Sequence, residues 1–176
     1  MAVLQKIREL FISQEEIEPE TIVPAPPTVY EIRPLTDVHL KEVLKLNLRC
    51  FREGENYTKH TFAYLLSEPR CLSYRIITPN KNIVGFIFIM IGDDGTGHIT
   101  TIGIAPEHRR RGLADKLLNH AENALRARDI NTVRLEVRVE NFVAQALYRR
   151  RGYAVLQKLF QYYNNGEDGF LMVKSL

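Results

Sequence analysis

The sequence predicts an α/β (α+β) domain built on a mixed central sheet of about six to seven strands, with helices on both faces. Three observations predict it. Strand-like runs separated by turn residues outnumber helical runs in the first half of the chain. The segment from His98 to Val139 reads strand, helix, strand, which calls for a parallel pair joined by a right-handed crossover. The stretch Thr132–Val139 alternates cleanly, with Val133, Leu135, Val137 and Val139 on one face and Arg134, Glu136 and Arg138 on the other. At 176 residues, 45% hydrophobic and 26% charged, the chain has the length and composition of a single globular domain.

Taken in order, Met1 to about Glu18 has a helical rhythm, with Val3, Leu4, Ile7, Leu10 and Phe11 spaced by three and four. Pro19, Pro24, Pro26 and Pro27 then forbid a helix and favour an extended linker. Residues 1–28 therefore read as a helical appendage with a proline-rich linker, packed either on the domain or on a partner. Residues 29–176 read as the domain proper. It opens with a strand at Val29–Arg33, followed by a helix capped by Asp37 and running to about Cys50, with Val38, Val43, Leu44, Leu46 and Leu48 available for burial. After the loop FREGENY comes a helix at Lys59–Ser67. Strands at Leu72–Thr78 and Ile83–Ile91 are joined by the turn PNKN. The glycine-rich stretch GDDGTG, from Gly92 to Gly97, lies between two strand patterns and reads as a hairpin turn, not a nucleotide loop. A strand at His98–Ile104 leads to a helix from about Gly112 to Arg128 that buries Leu113, Leu117, Leu118, Ala121, Ala124 and Leu125. Beyond Thr132–Val139, a short helix from Asn141 ends at Gly152, and strands at Tyr153–Phe160 and Gly169–Val173 flank the turn NNGED.

Composition excludes several classes. The longest apolar cluster, Ile83–Ile91, is strand-sized and far short of the roughly 18 residues of a membrane span. The first residues mix charge through their apolar positions, unlike a secretion signal. Cys50 and Cys71 form neither a disulfide framework nor a metal-ligand spacing, so the expectation is two reduced thiols in a cytoplasmic protein, with no metal. Asn56-Tyr57-Thr58 matches a glycosylation sequon by chance on that reading. A net charge of +3 is too small to imply DNA or another polyanion.

The basic residues are instead local. Arg109, Arg110 and Arg111 run into Gly112 at the start of a helix. Such a turn offers unpaired amide N–H groups, the positive end of a helix dipole and forked guanidinium donors, while glycine removes the Cβ that would block approach. Together these describe a diphosphate site, without the spacing of a P-loop or of a dinucleotide fingerprint. A solvated basic face or an RNA- or ribosome-binding patch is the competing reading, and the aromatic residues that would stack bases are missing from it.

The segment RRRGLA fits the [Q/R]-x-x-G-x-[G/A] signature of the GNAT superfamily of acetyl-CoA-dependent N-acetyltransferases. Downstream, LEVRVENFVAQALYRRRGY and YYNNGEDGFLM resemble segments of RimI-type and archaeal Ard1-type N-terminal acetyltransferases, with Gly169 standing where alanine is usual. The resemblance spans roughly residues 29–175. It implies acetyl-CoA as co-substrate, with amides around Arg110–Ala114 (Leu113 included) on the diphosphate, Arg109 and Arg110 beside it, and Arg111 part of the same turn. It implies that the pantetheine arm pairs like a strand with Ile102, Gly103 and Ile104, and that Asn141 binds the coenzyme or orders its helix. Glu136 is implied as proton acceptor, His98 as a relay to it, and Tyr148 as the donor to the departing sulfur. Glu55, Asn56, Tyr57, Tyr162 and Tyr163 are implied as an aromatic-walled groove for a peptide N-terminus. The expected activity is acetyl transfer to a protein α-amine, possible targets including a ribosomal protein. The alternative is a lysine or small-molecule amine on the same fold.

Overall fold

The computed structural model describes residues 22–51 and 57–176. The expected helix before Glu18, and Glu55 and Asn56, lie outside the described residues. Seven strands form one sheet: β1 (Glu31–Pro34), β2 (Cys71–Ile77), β3 (Ile83–Ile91), β4 (Gly97–Ile104), β5 (Thr132–Arg138), β6 (Ala154–Leu159) and β7 (Gly169–Ser175). Their order is β1-β2-β3-β4-β5-β7-β6, and every pairing is antiparallel except β4 with β5. That parallel pair is the one the alternation and the intervening helix demanded.

Among the described residues, four helices cover the sheet: α1 (Leu40–Cys50), α2 (Lys59–Ser67), α3 (Leu113–Arg126) and α4 (Phe142–Arg150). Phe62 of α2 meets Phe86 and Phe88 of β3 on one face. On the other, α3 buries Leu113, Leu117, Leu118, Ala121 and Leu125, each contributing about 1.5–3 kcal/mol for a large side chain taken from water. Gly97 lies beneath Leu125, where a Cβ would come within 2.8 Å of its methyl. The hairpin reading of GDDGTG holds: Gly92 and Thr96 close it, with Gly95 at φ +71°.

Two local readings are corrected. Asp37 does not cap α1. A short 3-10 turn at Asp37–His39 precedes the helix, and its cap is Thr36, whose N–H donates to His39 Nδ1 at 3.2 Å. Val38, in the 3-10 turn, and Leu48 are exposed, while Val43 and Leu46 are buried. On α3, Glu122 joins the buried stripe, and Ala124 is only half-buried.

Candidate active site

Residues Gly97, His98 and Ile99 pair in parallel with Val133, Leu135 and the intervening Arg134, and the pairing stops there. The cause is a bulge. Across β3, Phe88 faces Thr101 while Ile89 faces Ile99, so Thr100 is one residue too many. The Thr100 hydroxyl donates to Phe88 O at 3.2 Å, and its carbonyl accepts from the Tyr57 hydroxyl at 2.9 Å. Beyond this point β4 and β5 diverge and leave a cleft.

The ladder dictates which backbone groups face that cleft. Ala105 N donates to Val84 O across β3 at 2.8 Å. Antiparallel pairing alternates, so Gly103 and Thr101 also bond β3, and the N–H and C=O groups of Ile102 and Ile104 turn the other way. Gly103 itself is set by packing: a Cβ there would lie 2.8 Å from Phe86 and 3.1 Å from Cys50 Sγ.

At the cleft's end, Gly112 caps α3 in the left-handed region (φ +70°), with no side chain bonding the first amides. The first intrahelical bond runs from Lys116 N to Gly112 O, so the N–H groups of Leu113, Ala114 and Asp115 have no helical partner. Arg110 is also left-handed, at φ +62°. Such turns aim successive N–H groups into one concavity. A Cβ added at Gly112 meets no protein atom within 4 Å, so the glycine keeps open space free.

The three arginines do different things. Arg109 donates to Ile104 O and Cys50 O, both at 3.2 Å, tying β4 to the end of α1. Arg111 turns to the linker, donating to Pro26 O at 3.0 Å, to the Tyr30 hydroxyl at 2.7 Å and to Ala25 O. Arg110 alone of the three has no hydrogen bond or ion pair among the described residues. The crowding of cations is thus resolved by two backbone clamps and one free donor.

Where the strands part, His98 Nε2 and Glu136 Oε2 lie 2.6 Å apart, with side chains 29% and 17% exposed. The alternation that put Glu136 on the polar face of β5 is what brings it to His98. Tyr148, on α4, is 6% exposed, and burial pushes its phenol up to about 12. Its hydroxyl bonds no described residue, and its ring packs edge-on against Tyr153 at 5.7 Å. Asn141 orders the helix: its Oδ1 accepts from Ala144 N at 3.0 Å. Burial raises the Cys50 and Cys71 thiols to about 11, so neither is a ready nucleophile at neutral pH.

At the opposite end, Tyr162 and Tyr163 stack edge-to-face at 5.1 Å, and Arg138 sits 4.1 Å over the Tyr163 ring. Arg138 also bonds Glu167, holding that carboxyl below its usual range. Gly169 makes room for the pair, since a Cβ there would lie 3.3 Å from Tyr163 and 3.4 Å from Tyr162. Tyr57 does not point into open solvent; it is held on the Thr100 bulge and packs on Phe62 at 5.6 Å.

Several participants carried little signal in the sequence. Gln145 is buried and donates to Arg138 O and Val139 O, fastening α4 to the end of β5. His108 accepts or donates to the Tyr30 hydroxyl at 2.9 Å, beneath the linker. Glu122 had a signal: it occupies an apolar-stripe position between Leu118 and Leu125.

The model of the Acetyltransferase (GNAT) family matches residues 40–153. The chain belongs to that family. As a family member it is an N-acetyltransferase that draws on acetyl-CoA. It is 32% identical over 144 residues to the N-alpha-acetyltransferase daf-31 of Caenorhabditis elegans, covering 78% of each chain. It is 34% identical over 117 residues to a putative [ribosomal protein bS18]-alanine N-acetyltransferase of Bacillus subtilis, covering 66% of this chain and 77% of that one. Among solved structures, the ribosomal-protein-S18-alanine N-acetyltransferase of Escherichia coli superposes with a TM-score of 0.76 at 26% identity, over 84% of this chain and 94% of that one. No helix among the described residues is long and apolar enough to cross a membrane.

Proposed function

We propose that the chain moves the acetyl group of acetyl-CoA directly to the N-terminal α-amino group of a protein or peptide. The observation that carries the reading is the His98–Glu136 pair, standing at the point where β4 and β5 separate. An α-amine has a pKa of about 7.7–8.0, so roughly a tenth is neutral at pH 7, against less than one part in a thousand for a lysine near 10.4. A partly buried imidazole–carboxylate pair, able to take one proton through water, matches the weaker demand of the α-amine. The names of the worm and Bacillus relatives support the same acceptor, and the latter, with its Escherichia counterpart, supports a ribosomal protein as one candidate target.

In the proposed reaction the free amides of Leu113 and Ala114, with Arg110, hold the coenzyme diphosphate. The outward backbone groups of Ile102 and Ile104 pair with the pantetheine arm. The amine nitrogen attacks the thioester carbon, a C–N bond forms, the C–S bond breaks, and the amine's proton passes to the His98–Glu136 pair. Tyr148 meets the departing sulfur. With its phenol near 12 and a thiol near 8.5, handing over the proton outright is uphill, so Tyr148 acts as a hydrogen-bond donor that stabilises the thiolate. Tyr162 and Tyr163, spaced by Gly169, wall the peptide side, with Tyr57 held on the Thr100 bulge. The diversion of Arg109 and Arg111 into backbone clamps weakens the RNA-patch reading, which needed all three cations free.

The test is an assay of the purified full chain with acetyl-CoA and a panel of peptides differing only in the first residue, read by mass spectrometry. Acetylation at the α-amine is expected. Modification confined to internal lysines or to polyamines transfers the activity to the alternative acceptor.

A further inference from the structure

Glu122 is the one carboxylate of α3 inside the core, 1% exposed. Its Oε2 accepts from Arg151 Nη2 at 2.6 Å and from Lys174 Nζ at 2.7 Å, and its Oε1 accepts from the Tyr153 hydroxyl at 3.3 Å. Those three partners come from the C-terminus of α4, from β7 and from the residue that opens β6. Asn119, one turn earlier on α3, takes a second bond from Arg151 at 3.3 Å. Lys174 lies 5.5 Å above the Tyr153 ring, so the ring is held at its hydroxyl and over its face.

Tyr153 in turn sets Tyr148. The two rings pack edge-on at 5.7 Å, and Tyr153 N donates to Tyr148 O at 3.0 Å. Because the Tyr148 hydroxyl bonds no described residue, nothing polar in the described structure orients that phenol. Its one ring contact among the described residues is with Tyr153. Tyr153 rests on Glu122.

We propose that Glu122 is a positioning residue that sets Tyr148 against the diphosphate turn, making α3 a ruler for the length of the acetyl donor. The inference rests on the reading of Tyr148 as donor to the coenzyme sulfur. One end of α3 is Gly112, whose following amides face the diphosphate concavity. Glu122 lies roughly 15 Å further along the same helix, at 1.5 Å per residue. A rigid helix therefore carries the socket for one end of the donor and, through Tyr153, the anchor for the group that meets the other end. A buried carboxylate facing two cations is a weak device for stability, since apolar residues of similar volume do as well, whereas it fixes distances tightly. Catalysis by a positioned hydrogen bond is sensitive to such fixing, because a shift of about 1 Å can cost a hundredfold.

The experiment is a double-mutant cycle between Tyr153→Phe and Tyr148→Phe in the full chain. Single-turnover acetyl transfer is measured at saturating acetyl-CoA on the most reactive peptide of the first-residue panel, beside coenzyme A affinity and melting temperature. Tyr153→Phe keeps the ring and removes only its bond to Glu122. It is expected to slow transfer about five- to tenfold in the parent, and by less than about 1.5-fold when Tyr148 is already Phe, with coenzyme affinity within about twofold throughout. A merely structural role would slow both backgrounds equally. Equal slowing in both, or no slowing by Tyr153→Phe in the parent, overturns the ruler while leaving Tyr148 as donor. Unchanged transfer in Tyr148→Phe alone overturns the donor reading, and the ruler with it.

Discussion

Gly112 answers to two constraints, one from its own backbone and one from the space in front of it. Its φ of +70° is strained for any residue with a Cβ, and a Cβ there would project into open space beside the first amides of α3. Gly112→Ala is therefore expected to lower stability by about 1 kcal/mol and to weaken coenzyme A binding at least about tenfold. Gly112→Asp, which adds a carboxylate facing a diphosphate, is expected to abolish it. Calorimetry with coenzyme A and a melting curve separate the two effects. Arg110→Ala is expected to weaken coenzyme binding severalfold with no change in melting temperature, because that side chain bonds nothing in the described protein. For Tyr148, Phe substitution is expected to leave coenzyme affinity unchanged and slow transfer by about tenfold or more, the cost of losing one preorganised donor.

Between elements, the strap formed by the linker is the feature that three adjacent arginines concealed. Ala25 N donates to Glu107 O at 2.9 Å, Arg111 grips Ala25 and Pro26, and Tyr30 bridges Arg111 to His108. Arg49 pairs with Glu107 at 2.6 Å on the same side. Burial, with Arg111 and Arg49 nearby, lowers the His108 pKa, while Glu107 opposes the shift. A base whose folded pKa is depressed contributes stability that is present above its unfolded value, 6.5, and lost as pH falls below it. Melting temperature is expected to fall on acidification through that range, and the slope to flatten in His108→Asn. Proteolysis near residues 22–28 should increase over the same interval. Through the strap, Ala25 and Pro26 are tied to the domain surface.

For the whole molecule, two buried thiols contribute to the alkaline limb of stability, beside the buried tyrosine phenols. Cys50, at the end of α1, and Cys71, at the start of β2, are both partly buried, and burial raises each from 9.0 to about 11. A raised folded pKa means the folded state holds its proton more tightly, so the contribution is complete below 9.0 and lost as pH climbs towards about 11. Melting temperature should drop across that window, and less steeply in Cys50→Ala or Cys71→Ala. The Glu122 cluster joins α3, α4, β6 and β7, so Glu122→Ala, which strands two cations, is expected to cost about 3–5 kcal/mol in a denaturant titration. That loss is a matter of fold, distinct from the selective slowing expected of Tyr153→Phe.

Short-range pattern determined the fold class, the parallel pair, the four helices, the hairpin at Gly92–Gly97 and the glycine that opens α3, because period, turn chemistry and caps are written in neighbouring residues. The motif resemblance then named the candidate site residues. Tertiary structure alone decided that the bulge at Thr100 splits β4 from β5, that His98 reaches Glu136, and that of three like residues only Arg110 has no partner among the described residues. It alone showed Glu122 buried against Arg151, Lys174 and Tyr153, and Gln145 bonded to the end of β5. Each of those facts depends on which atoms meet across tens of residues of sequence. Alternation and helical spacing tell a side chain which face it occupies, but not what the opposite strand or helix will place there.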